Sequence, residues 1–134
     1  MGNRGFFGFS SPQPPKLVVV RSVLASNKSV TSLATVLSVS FTLPKTTVVT
    51  ITVDASAVHT GGNHTTLSTL ILDYTTQLGL EIGISQINNY GIACPRTYSL
   101  SLDSGDHTIE FKARADANTT TFYANSELQV TYMI

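Results

Sequence analysis

The pattern of apolar and polar positions repeats every two residues over most of the chain. In VLSVSFTL, Leu37, Val39, Phe41 and Leu43 fall on one side and Val36, Ser38, Ser40 and Thr42 on the other. That alternation marks a half-buried strand. Pro44 and Lys45 interrupt it. In TTVVTITVD, Val49, Ile51 and Val53 then share a face opposite Val48, Thr50 and Thr52. Two alternating runs around so short a break predict an antiparallel pair of neighbours. LSTLILDY is apolar on both faces and is expected near the middle of a sheet, followed by Leu78, Leu80, Ile82 and Ile84 in alternation with Gly79, Glu81, Gly83 and Ser85.

Turn formers mark the gaps. HTGGNHT centres a loop over Ser56–Thr66, and Asn88–Pro95 reads as a second loop. Tyr98, Leu100 and Leu102 alternate with Thr97, Ser99 and Ser101. The DSGD link at Asp103–Asp106 then predicts a hairpin into HTIEFKARA. In that second arm Ile109, Phe111, Ala113 and Ala115 point inward, with Thr108, Glu110, Lys112 and Arg114 toward water. DANTT makes another turn, and the final run puts Leu128, Val130, Tyr132 and Ile134 in phase. The count is about eight or nine strands and no helix. This predicts an all-β antiparallel sandwich, most simply a jelly roll, over residues 17–134.

Residues 1–16 differ. MGNRGFFGFSSPQPPK interleaves Gly2, Gly5 and Gly8 with Phe6, Phe7 and Phe9, and then brings Pro12, Pro14 and Pro15. Glycine and proline oppose helix, and proline opposes a central strand. An extended arm is expected, since ten residues reach up to ~35 Å. Burying each phenylalanine on a partner would contribute ~1.5–3 kcal/mol before ordering entropy, so the three are expected to anchor the chain to that partner.

Composition narrows the function. The 134-residue chain has 12% charged residues and zero net charge. Nucleic-acid binding needs a Lys/Arg excess, and so does adhesion to anionic lipid, so neither partner is expected. No stretch reaches ~18 apolar residues, and no apolar leader is visible in Met1–Ser10. Ser and Thr, about a quarter of the chain, stand in for the missing charge. So little charge favours self-association and a permanent assembly.

Chemistry-bearing residues are few. There is no GxSxG, so the many serines and His59, His64 and His107 make no recognisable triad, and no catalytic residue is assigned. Cys94 is the single cysteine; it excludes an internal disulfide and is expected as a small buried thiol, with a Cys94–His107 pair as the reactive alternative. His59 and His64 are expected as solvated loop residues, with a symmetry-generated metal site as the alternative. Asp103, Asp106 and Asp116 sit where turns favour Asp and are weighed against calcium. No metal or cofactor is expected. The sequons at Asn27, Asn63 and Asn118 are what the Ser/Thr content supplies by chance.

Three stretches, SFTLPKTTVVTITVDASA, LSTLILDYTTQLGLEIGIS and SLSLDSGDHTIEFKARADANTTTFYANSELQVTYMI, resemble the jelly-roll domains of the tumour-necrosis-factor (TNF) and complement globular-head class, in the versions found in bacteriophage virion proteins. The carrying residues are Leu102, Gly105, Asp106, His107, Thr108 and Ile109 in the link, and Leu128 and Val130 in the last strand. Leu72, Asp73 and Tyr74 depart from the family's "ϕ-Asp-Gly" turn. The resemblance spans roughly Ser32–Ile134 and implies a TNF-like fold, a homotrimer and no catalysis. Tyr74, Tyr98, Phe122 and Tyr132 are then candidate trimer contacts.

The expected protein is a virion component: a trimeric knob fastened by its arm to a major capsid protein or another virion protein, as a decoration or cement protein. The alternative is a receptor-binding knob of a tail or fibre. It would engage a host surface glycan or protein through Asn88, Asn89, Tyr90 and Arg96.

Overall fold

The computed structural model describes residues 14–134, and the Phe6, Phe7 and Phe9 cluster of the arm lies outside the described residues. The strands are β1 (Leu17–Val23), β2 (Lys28–Val30), β3 (Ala34–Leu43), β4 (Thr47–Asp54), β5 (Ser56–Thr60) and β6 (His64–Leu72). They continue as β7 (Thr76–Gln86), β8 (Gly91–Ala93), β9 (Arg96–Leu102), β10 (Gly105–Ala115), β11 (Thr119–Phe122) and β12 (Glu127–Met133). Three antiparallel four-stranded sheets form, in the orders β1-β12-β4-β9, β2-β11-β5-β8 and β3-β10-β6-β7. The first two carry consecutive strands in the same order, so they are one long layer creased across its middle. The crease is stitched by Cys94 N–H to Ala55 O at 2.8 Å, Tyr123 N–H to Ser56 O at 2.9 Å and Leu24 N–H to Ser126 O at 2.8 Å.

Period-two alternation sets the faces. Val49, Ile51, Val53, Leu128 and Val130 of the creased layer meet Phe41, Leu70, Ile109 and Phe111 of the other, all buried. Phe122 of β11 meets Phe111 of β10 edge-on, with centroids 5.8 Å apart at 90°, and so joins the layers. The outer faces explain the Ser/Thr content. Directly opposed pairs hydrogen-bond across strands: Thr50 with Ser99 at 3.0 Å, Ser40 with Thr108 at 3.0 Å, and Thr65 with Ser85 at 2.6 Å.

Several expectations from the pattern are corrected. β3 and β4 do not pair: β3 lies beside β10, whereas β4 lies between β12 and β9. Nor is the DSGD link a hairpin, because β9 belongs to the creased layer and β10 to the other. Both short links are crossings between layers at one end, where Leu43 opposes Gly105 and Thr47 opposes Leu102. Alternation reports which face of a strand is buried; it does not report which layer holds the strand. Among the described residues, the consecutive strands that do pair are β6 and β7. They are joined by a tight turn at Asp73 (φ 50°) and Tyr74 (φ 67°), closed by Thr75 N–H to Leu72 O at 3.1 Å. The expected loop at Ser56–Thr66 shrinks to 61–63, and β8 interrupts the second loop. Thr108 and Glu110 point outward yet are buried, and Glu110 accepts a 2.7 Å hydrogen bond from the Thr35 hydroxyl.

Candidate functional site

The β7/β9 side is built around a bulge in β7. Register shifts between Ser68 and Leu70: Ser68 opposes Ile82 and Leu70 opposes Leu78, so Gly79, Leu80 and Glu81 face Thr69 alone. Gly79 makes this bulge possible, because its φ of 72° suits a residue without a Cβ. A Cβ there would also meet the Arg96 guanidinium and the Tyr98 ring, each at 3.2 Å. Arg96 reaches in from β9 and donates to the carbonyls of Leu78 (3.0 Å), Leu80 and Ser68 (3.3 Å). Desolvation by burial lowers the guanidinium from its ordinary value, with Tyr98 acting the other way; arginine stays charged regardless. The bulge takes Leu80 out of the alternation with Leu78 and leaves it 82% exposed. Ile82 beside it is also exposed, and Tyr98 and Leu100 are half-buried.

The candidate contact residues divide. Tyr74 is 69% exposed at the tip of its turn, and Tyr98 lies beneath Gly79. Phe122 and Tyr132 are corrected to core residues. Both are buried within the subunit, Phe122 on Phe111 and Tyr132 on Phe41, leaving no surface for a second chain. The candidate ligand residues divide too. Asn88, Asn89 and Tyr90 share one loop tied to the opposite turn: Asn88 N–H donates to Asn63 Oδ1 (2.8 Å), and Asn89 N–H to His59 O (2.7 Å). Arg96 is not with them, since its donors serve the bulge. Next to this loop lies a groove of about 390 Å³ lined by Asn63, His64, Thr65, Ser85, Gln86 and Ile87.

His59 and His64 are corrected from solvated loop residues to buried ones. The GGN turn is only three residues long, so the flanking histidines are already in β5 and β6 and face the interior between layers. Their rings stack with centroids 3.9 Å apart at 29°. His59 Nδ1 meets Gln86 O at 3.2 Å and Nε2 meets the Thr66 hydroxyl at 2.6 Å. His64 Nδ1 meets Gly62 O at 2.9 Å and Nε2 meets the Thr120 hydroxyl at 3.0 Å. The two hydroxyls lie 2.6 Å apart.

The remaining chemistry-bearing residues are committed to the fold. His107 donates from Nε2 to Asp103 O (2.8 Å) and its Nδ1 meets Asp73 Oδ2 (2.9 Å), so it does not pair with Cys94. Asp73 Oδ1 also accepts the Thr108 N–H at 2.9 Å. Asp73 thus fixes the His-Thr of the recognisable motif, a role the sequence reading missed. Burial alone would lower the proton affinity of His107, but the Asp103 carbonyl and the Asp73 carboxylate outweigh it and raise the ring above its ordinary value. The Cys94 thiol is buried and pushed up to about 11 by desolvation, which leaves it unreactive near neutrality. Asp106 accepts from the Thr42 hydroxyl, while Asp116 accepts the Thr65 N–H from beyond the other end of β10.

No family model matches the chain, and no curated protein matches its sequence. Solved structures do. Eiger TNF from S. frugiperda superposes with a TM-score of 0.59 over 90% of this chain and 94% of that one, at 12% identity. The fold is a TNF-like jelly roll. PorU from Porphyromonas gingivalis gives 0.53 at 14% identity over 89% of this chain, which spans 12% of PorU. Infectious bursal disease virus, Gx strain, gives 0.49 at 12% identity over 92% of this chain, which spans 33% of the viral one. At these identities the TNF and PorU likenesses are likenesses of fold.

Proposed function

We propose that this protein is a non-enzymatic structural component of a virion: a TNF-like jelly-roll knob that assembles as a homotrimer and, through the arm of residues 1–16, decorates or cements a phage capsid. The observation that carries the reading is the β7/β9 side. Leu80 is held in solvent by a bulge whose carbonyls Arg96 ties down, next to exposed Ile82 and half-buried Tyr98 and Leu100. Covering an exposed leucine stabilises an assembly by ~1.5–3 kcal/mol per copy, and a neutral chain has no net charge to keep copies apart. The absence of catalysis is supported by how the reactive side chains are used: Cys94 is buried, and each histidine ring has both nitrogens hydrogen-bonded.

Sedimentation equilibrium at micromolar concentration tests the assembly. A trimer is expected, with Leu80→Glu giving a folded monomer; a monomeric wild type overturns the proposal. Removing residues 2–13 should leave the trimer intact and abolish binding to particles, and normal decoration by the truncated protein would refute the anchor. The groove ending at Ile87, whose carbonyl accepts the Tyr90 N–H, favours a second reading, a knob that binds a host glycan. Selective binding on a glycan array, lost in Tyr90→Ala, would establish it.

A further inference from the structure

Five hydrogen bonds run through the His59–His64 cluster, and they do not balance when both rings are neutral. Each Nδ1 faces a carbonyl oxygen, which can only accept, so each Nδ1 must carry a proton. A neutral ring protonated there has a bare Nε2. His59 Nε2 and His64 Nε2 must then take the hydroxyl protons of Thr66 and Thr120. Nothing remains to fill the 2.6 Å contact between the two hydroxyl oxygens. Two ring protons and two hydroxyl protons make four, for five bonds.

One added proton completes the set. Placed on either Nε2, it lets that ring donate to its threonine. That threonine donates to the second threonine, which donates to the ring still neutral. The chain runs equally well in both directions. A second added proton has no bond to complete. It would strand a hydroxyl hydrogen among four buried side chains and set like charges on rings 3.9 Å apart.

We propose that the His59–His64 pair is a one-proton site: the fully bonded fold holds a single imidazolium, passed between the rings through Thr66 and Thr120, and excludes a second. The site is a proton-dependent clasp, because it joins β5 and β11 of the creased layer to β6 of the other. Its surroundings add little charge. β8 and β11 bring no ionisable side chain, β5 brings none but His59 itself and β6 none but His64. The adjoining loops bring Tyr90, whose carbonyl accepts the His59 N–H, and Asp116, whose carboxylate accepts the Thr65 N–H. β10 contributes Glu110, Lys112 and Arg114 on its outer face, with Arg114 paired to Glu81 at 3.3 Å, and β2 contributes Lys28 opposite Phe122.

Long-range proton–nitrogen NMR on the full chain with 15N-labelled histidine tests this, with His107 signals assigned by comparison with His107→Asn. Three ring N–H groups across His59 and His64 are expected on the plateau before acid unfolding. Two, or four, in the folded protein overturn the proposal. Thr120→Val removes the unfilled contact while keeping side-chain shape, so the count should fall to two over the same pH range. Thr66→Val should do the same and replaces it if Thr120→Val does not fold. Three ring N–H groups in a folded valine variant would also overturn the proposal.

Discussion

The two long sides of the sandwich are built differently. At the β1/β3 side the layers close: Val18 and Val20 pack onto the core, and β3 buries Leu37, Val39, Phe41 and Leu43. At the β7/β9 side, the open one, a bulge and an inserted guanidinium stand between the layers, and Leu80 faces solvent. A strand that strays from its register normally costs stability. Here the stray is secured by an arginine reaching in from the facing layer, so the open side is a built feature of the fold.

The sharpest way to break this contrast is to compare the arginines at the two sides. Arg96→Met strips donors from three carbonyls and should cost about 2–3 kcal/mol in urea denaturation. Arg21→Ala on β1 removes a single 3.3 Å pair between the exposed Arg21 and the half-buried Glu127 and should change stability by no more than about 1 kcal/mol. Equal effects would mean that the bulge does not depend on Arg96.

A smaller effect comes from the turn that leads into β7. Tyr74 holds a φ of 67°, where a side chain costs about 1 kcal/mol and glycine costs little. Tyr74→Gly should therefore stabilise the isolated subunit by about 0.5–1 kcal/mol in the same assay. A loss of stability would show that the tyrosine packs within its own chain.

The smallest effect is a pH dependence at the end where the short links cross. His107 is raised in the folded state, so its contribution is fully present below its unfolded value of 6.5 and fades as pH rises through the folded one. Denaturation midpoints between pH 5.5 and 8.5 should reveal this as a difference between wild type and Asp73→Asn that shrinks toward high pH. A difference that grows would reverse the assigned sign.

The sequence made the faces legible and left the connections dark. Val49, Ile51 and Val53, or Ile109, Phe111 and Ala113, declare the core because burial recurs every second residue. Nothing in Pro44–Thr46 or Asp103–Ser104 says whether the chain turns within a layer or crosses to the next, since both need a short polar link. Leu80 escapes the pattern because alternation assumes constant register, which Gly79 breaks. His59 and His64 look like loop residues because GGN dominates their surroundings, while their partners Thr66 and Thr120 lie 7 and 56 residues away in the chain. Tyr74 and Tyr98 are found at the surface and at the open side, whereas Phe122 and Tyr132 look the same in sequence and are core.

The cross-strand hydroxyl pairs have a consequence for where such a molecule can live. Dissolved ions screen charges, and an exterior finished in neutral hydrogen bonds offers them little to act on. Cohesion of the fold is thereby largely uncoupled from salinity, and the same subunit suits dilute water and brine alike.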